Sequence, residues 1–594
     1  MRYSLVTGAL VTSACVAACG GGATTSASTG SDATSSATTS TGSGGSGGSS
    51  GSGATTGSGG SGGTPLPEDP PPRAIGPLST STVTSQTPTF RWELTGQWDG
   101  ARVEICTTRT CSVAKTLDAV GSSAKLSKAL APGLWYYRVF GRHGSTIATQ
   151  HGPVWQFTVG ARSAPVSTSY GATVDPNGDG FADTVVGAPG GAGSAHVYLG
   201  SAIGLATTPS LTLGAPDLQG TSFGAAIASA GDLDGDGYGD LVVGQPGYPA
   251  AGGEGRAFVY AGSPTGLGAM PALTITAPPK MGGSFGATLT SAGDVNGDGY
   301  ADVLIGAPTA AGGAGRAFLF LGGKGGLAST ASATLKGADT PGESHGITVA
   351  SAGDVNGDGF GDVVVGAFDA TTPGAPAGKV RLYLGSAMGL VEAPEIVLSA
   401  PGSAAGDGFG LGLATPGDIN GDGYTDLAIG APFAAMGAGS VQVFLGGKMG
   451  VGALPAFTLG GTPGQLGSFG RSLAASGDPN HDGYSDVVVG EPDAFAKFGR
   501  VHVFSGSNTG LNSVADVLIE APVKSAGAFG AAVSIPGDLD HDGNDDAVIG
   551  APSVASGDGE AYALRGSANG PIPVGKPVLK APAAGKSFGA AVAR

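Results

Sequence analysis

The motifs of the common hydrolases are missing from this chain. It has no His-Glu-x-x-His zinc pattern and no phosphate-cradling loop, and its seven histidines (His143, His151, His196, His345, His481, His502 and His541) are scattered. The Gly-x-Ser-x-Gly at 220–224 belongs to a recurring Ser-Phe-Gly, not to a strand-to-helix nucleophile elbow. Basic residues are scarce, with 28 Lys and Arg against 45 Asp and Glu, and they form no patch interleaved with aromatics, which excludes a nucleic-acid reading. Cysteine is rarer still. Cys106 and Cys111 have no further Cys or His nearby, which argues against a zinc site; in an exported protein a local disulfide is the leading reading, with two free thiols the alternative. Tryptophan is absent beyond Trp155. Trp92, Trp98, Trp135 and Trp155 all fall in one stretch, which argues for two separate cores.

What the chain has instead is one nine-residue pattern, Asp-x-Asp/Asn-x-Asp-Gly-x-x-Asp, written seven times. The starts at Asp175, Asp232, Asp294, Asp354, Asp418, Asp478 and Asp538 are 57 to 64 residues apart. A repeat of that length indicates a solenoid or a propeller. Calcium is a hard cation that takes six to eight oxygens. Positions one, three, five and nine offer them: Asp175, Asn177, Asp179 and Asp183; Asp232, Asp234, Asp236 and Asp240; Asp294, Asn296, Asp298 and Asp302; Asp354, Asn356, Asp358 and Asp362; Asp418, Asn420, Asp422 and Asp426; Asp478, Asn480, Asp482 and Asp486; Asp538, Asp540, Asp542 and Asp546. Position seven (Phe181, Tyr238, Tyr300, Phe360, Tyr424, Tyr484, Asn544) is expected to add its backbone carbonyl, leaving its side chain free to vary. Position six is Gly throughout, as a sharp turn at positive φ requires.

An ordinary solvated turn needs no such fixed set of oxygens. A helix-loop-helix calcium site needs Glu at position twelve. Here that position is always Val or Ile, inside runs such as Asp302-Val-Leu-Ile-Gly306 that read as buried strands. Each loop therefore joins two strands. His481 and His541, at position four, are read as neutral substitutions. Ligand positions hold 23 of the 45 acidic residues, and seven divalent ions would bring the formal charge from −17 to about −3. The acidity is metal-directed rather than a field for a basic partner.

Around each loop the same parts recur: Phe-Gly and an apolar stretch before it, a second strand and Gly-Ala-Pro after it, then a third and a fourth strand. Four short strands per repeat make a propeller blade, and seven blades lie within the usual range. Phe-Gly, the acidic loop and Gly-Ala-Pro together resemble the FG-GAP repeat of integrin α-chain propellers and related bacterial surface proteins, over roughly residues 165–594. The resemblance implies a seven-bladed β-propeller with Ca²⁺, up to seven ions, in loops on its lower face. His345-Gly346 and Phe368 depart from the pattern. No Arg-Gly-Asp, inserted ligand-binding domain or membrane-spanning helix after the repeats was found, so integrin pairing and signalling do not carry over. Ser587–Arg594 repeats the opening of a blade and is expected to pair with blade one and close the ring.

The overall expectation is an all-β chain. Residues 1–18 read as a signal peptide resembling that of bacterial lipoproteins, with Cys19 as the lipid anchor. Residues 19–72 form a flexible Gly/Ser/Thr/Pro linker. Residues 73–162 form a small β-sandwich similar to fibronectin type III, and residues 163–594 form the propeller. The functional expectation is a non-enzymatic, lipid-anchored binding or adhesion module at the bacterial cell envelope, on the outer membrane, for an unidentified extracellular protein or glycan. Its binding loops would lie opposite the calcium face, with Tyr248, Phe433, Phe495 and Lys497 as candidates. The alternatives are a hydrolase or its accessory domain, phospholipase-like, and a purely structural envelope protein.

Overall fold

The computed structural model describes residues 69–593 apart from 218, 250–252, 369–377, 403, 462–465, 475–476, 523–526, 572–577 and 581–585. The expected signal peptide, Cys19 and the linker through residue 68 lie outside the described residues.

Alternating apolar residues build the small domain as two sheets over one core. Arg73–Gly76, Thr89–Glu93 and Ser123–Lys125 form the smaller sheet. The larger runs Ser169–Tyr170, Thr82–Val83, Trp155–Val159, Gly133–His143, Gly100–Cys106, Val113–Val120, with Thr146–His151 paired to Gly133–His143. Phe90 from one sheet and Tyr137, Trp155 and Phe157 from the other meet edge to face, with ring centres 5.0–6.0 Å apart. Such pairs add about 0.5–1.5 kcal/mol each beyond the area they bury. Cys106 and Cys111 are joined by a disulfide.

Seven four-stranded antiparallel sheets follow among the described residues. In the second, Ile227–Gly231, Asp240–Gln245, Arg256–Tyr260 and Leu273–Thr276 pair in chain order. The second and third strands are buried along their whole length, because neighbouring sheets cover both faces, and this is why they read as unbroken apolar runs. The outermost strand alternates between buried and exposed. Each packed core spans two sheets; Val185 and Val197 of the first sheet share one with Leu241 and Val243 of the second.

The Phe-Gly element has a structural job. Phe223 is fully buried, and its backbone bridges Gly193 of the preceding sheet. A Cβ on Gly193 would stand 2.1 Å from the Phe223 carbonyl oxygen, so only glycine lets the sheets be stapled there. At the fourth sheet His345 replaces Phe and is equally buried. Its Nε2 lies 3.2 Å from the Tyr383 hydroxyl and its Nδ1 3.3 Å from Arg381, which pairs with Glu343. Burial and the Arg381 charge push His345 down to about 3, so a neutral ring stands in for the phenyl group.

The first sheet takes its innermost strand from the far end of the chain. Ala591–Val592 pairs with Thr184–Ala188, and Phe588 packs beside Val186, Tyr198, Val548 and Leu579. This contact closes the ring and removes a free sheet edge. Ser169–Tyr170, inside the 163–594 span expected to form the propeller, instead extends the small domain's larger sheet by pairing with Thr82–Val83. Strand pairing of the small domain thus continues past residue 162.

Candidate metal centres

A bulge sets the position of five of the loops. Ile227, Ala228 and Ser229 pair in simple register with the second strand, then the register shifts and Gly231 pairs with Asp240. Position nine is thereby fixed against the residue that precedes position one, and the loop closes as a tight hairpin. The same shift precedes the loops at Asp294, Asp354, Asp418 and Asp538. All seven position-six glycines have φ between 87° and 96°, as expected. Position four is also left-handed. It is Gly in five loops, while His481 (φ 53°) and His541 (φ 61°) accept the less favourable conformation in the other two.

Inside the loop, backbone amides orient the carboxylates. Asp232 Oδ1 accepts from the Gly235 and Asp236 amides and its Oδ2 from Gly237. Asp236 Oδ1 accepts from Tyr238 N. Where position three is Asn, its amide donates to position five, as in Asn177 to Asp179 at 2.8 Å. Position nine ties the loop to the sheet: Asp240 Oδ2 accepts from Leu233 N and its Oδ1 from Gly262 N, both at 2.8 Å. Asp302, Asp362, Asp426 and Asp546 repeat this.

The first and sixth loops break that rule for a legible reason. Their position two is Pro176 or Pro479, which has no amide hydrogen to give. Asp183 Oδ2 and Asp486 Oδ2 are accordingly buried and unpartnered, as is Asp175 Oδ1. In the second and seventh loops, where position three is Asp, oxygens of Asp232, Asp234 and Asp240 and of Asp538, Asp540 and Asp542 lie within 4.8 Å of one another. Burial, reinforced by neighbouring carboxylates, pushes Asp232 and Asp478 up to about 7, Asp294, Asp354 and Asp418 to about 6, and Asp362 and Asp486 to about 8. Crowded, dehydrated carboxylates of this kind are poor company for one another and fit a hard divalent cation.

Position-seven side chains are not free to vary, contrary to expectation. Each aromatic ring covers the position-four glycine of the preceding loop. A Cβ on Gly178, Gly235, Gly297, Gly357 or Gly421 would stand 2.6–2.9 Å from Tyr238, Tyr300, Phe360, Tyr424 or Tyr484. Phe181 instead meets His541 edge to face at 5.5 Å. The rings form a continuous staircase, and six aromatics out of seven at a nominally exposed position was the sequence signal for it.

Sequence reasoning also missed what lies on that staircase. Three arginines of the small domain lie over rings: Arg109 over Tyr238 at 4.0 Å, Arg162 over Tyr484 at 4.4 Å and Arg73 over Tyr300 at 4.5 Å. Arg91 donates to Gly359 O, and Thr168 Oγ1 to Gly423 O. Nothing in the small domain's own pattern marks these residues, because they serve a partner hundreds of residues away. The seventh loop differs again. Arg565 pairs with Asp540 at 2.7 Å, and Asp545 Oδ2 accepts from Asp478 N.

Ring closure, stapled sheets and acidic loops on one face define a repeat-built β-propeller. Five segments, 223–260, 285–320, 345–383, 409–444 and 469–504, match the FG-GAP repeat. The ring is an FG-GAP β-propeller. The chain is 32% identical over 212 residues to human integrin alpha-IIb, covering 30% of this chain and 20% of that one. It is 36% identical over 162 residues to Drosophila melanogaster integrin alpha-PS5, covering 26% and 16%. It therefore spans a fifth or less of the length of these relatives. Among solved structures, the Dos1 propeller is matched over 85% of this chain and 89% of that one, at 10% identity and a TM-score of 0.34. No described helix is long and apolar enough to cross a membrane.

Proposed function

We propose that this protein is an exported, calcium-binding propeller that serves as a binding or adhesion module for a protein or glycan, tethered at Cys19 to the outer membrane of a bacterial envelope. The observation that carries the calcium reading is the pair of buried, unpartnered carboxylate oxygens on Asp183 and Asp486, beside the carboxylates that gather within 4.8 Å in the second and seventh loops. Calcium would neutralise each cluster and hold the loop, a structural role, with affinity in the extracellular range of about 10⁻⁴–10⁻³ M.

Because the small domain covers much of the loop face, the partner surface is assigned to the opposite face. Phe433 and Phe495 are 36% and 41% exposed there. Phe495 lies in a run of three left-handed residues, Phe495, Ala496 and Lys497, strained backbone of the kind found at functional sites. Tyr248 is a weaker candidate, since its ring is held 3.6 Å from the Arg256 guanidinium. Calorimetric titration of the metal-free full chain with CaCl₂ should show several ions bound at millimolar supply; no binding would refute the calcium reading. Phe433→Ala with Phe495→Ala should abolish capture of envelope material by calcium-loaded protein, and unchanged capture would refute the assignment of the face.

A further inference from the structure

The small domain reaches into the loops through its disulfide. Cys106 and Cys111 close a short turn that carries Arg109. Arg109 Nη2 donates to Gly237 O of the second loop at 2.7 Å, and its guanidinium covers Tyr238 of the same loop. Its Nη1 donates to Gln156 Oε1 at 3.3 Å. Gln156, only 2% exposed, donates from Nε2 to Asp175 Oδ2 at 2.9 Å, and Asp175 is the first ligand position of the first loop. The neighbouring Trp155 donates from Nε1 to Gly235 O of the second loop at 3.1 Å. An unbroken path thus runs from a ligand carboxylate of loop one, through two small-domain side chains, to the backbone of loop two.

The choice of partners matters. Arg73, Arg91, Arg109 and Arg162 take carbonyl oxygens and ring faces of the loops and leave the ligand carboxylates free. Arg565 does the opposite and occupies Asp540 directly. A guanidinium on a carboxylate competes with a cation, whereas one on a carbonyl and a ring grips the loop without competing. Asp175 supports the distinction: Gln156 holds one of its oxygens while the other is buried and unpartnered, ready for an ion. Partners of this second kind fix ligand orientation, and their loss typically weakens metal binding about 10–100-fold.

We propose that the small domain is a clamp on the metal loops, with Gln156 and Arg109 as positioning residues for loops one and two, so that metal loading and domain docking strengthen each other. The proposal rests on the calcium reading above. Linkage makes the effect reciprocal: whatever the ion gains from the docked domain, the docked domain gains from the ion.

Terbium, a calcium mimic whose emission is sensitised by a nearby indole, tests this on the full chain. Titration with TbCl₃ under tryptophan excitation should give emission that Trp155→Phe removes, since Trp155 touches a loop. Gln156→Ala and Arg109→Ala should each weaken this titration about tenfold. Arg102→Ala, which breaks only an exposed pair with Asp118 inside the small domain, should leave it unchanged. Calorimetry with CaCl₂ on the same proteins separates the two ideas. If wild type binds calcium and both variants titrate like wild type, the clamp is wrong and the calcium reading survives. If wild type binds neither ion, both fall.

Discussion

The two parts of this chain are held together in opposite ways. The small domain buries Trp92, Phe90, Tyr137, Trp155 and Phe157 in one aromatic core and adds a disulfide. The propeller contains no tryptophan, and its sheet-to-sheet cores are mainly Val, Ala and Leu with a few Phe, Tyr and Ile side chains, beneath loops that carry dehydrated carboxylates. The first kind of stability is complete within the chain. The second is conditional, because the inner ends of the strands carry charge that burial makes unfavourable until something neutralises it.

Chelation should expose that difference most strongly. With affinities of 10⁻⁴–10⁻³ M, about 10 mM calcium would stabilise by roughly 1.4–2.7 kcal/mol per filled site. Several sites then shift the propeller's melting temperature by ten degrees or more, read by circular dichroism. The core ring of Trp92 should keep its fluorescence through that change, and coincident loss of both signals would mean the parts are not energetically distinct. Trp92→Ala is the mirror experiment. It should cost the small domain about 3–5 kcal/mol and lower the calcium-loaded propeller transition, read by scanning calorimetry, only by what the lost clamp supplied at loops one and two.

pH should separate the parts next. Asp232, Asp294, Asp362 and Asp486 have folded-state values raised to about 6–8, above the unfolded value of about 3.9. Between those limits the folded, metal-free protein holds more protons than the unfolded chain, so its stability falls as pH rises. In chelator the propeller should therefore melt higher at pH 5.5 than at pH 8, by a few degrees at about 2–4 °C per kcal/mol. Calcium should reverse the order, because the ion needs the ionised form. The smallest effect is local. Arg565→Ala frees Asp540 and should strengthen calcium binding at loop seven a few-fold, given that Arg565 is half-exposed and well screened.

Much of the architecture could be read directly. The fixed spacing of Asp-x-Asp/Asn-x-Asp-Gly-x-x-Asp and the Val/Ile at position twelve exclude a helical loop and force a strand hairpin. The closing role of Ser587–Arg594 was visible as half a repeat. Pro176 and Pro479 were equally visible, but their consequence was not: an unpartnered oxygen on Asp183 or Asp486 appears only once the amide that serves the other loops is located. Tyr170 misled because a short apolar stretch before a loop reads alike whether it belongs to a blade or to the neighbouring sheet. The staircase at position seven escaped notice for a related reason, since the pattern within one repeat says nothing of the glycine it covers in another.

The chain alone determined the repeat, the hairpin loops and the oxygen-bearing side chains they carry, because hydrogen-bonding pattern and turn geometry act over a few neighbouring residues. Only the tertiary structure decided that Gln156, Arg109 and their fellows settle on those loops. Their partners lie 19 to more than 300 residues away in sequence, and a contact across such a distance is fixed by how whole sheets pack.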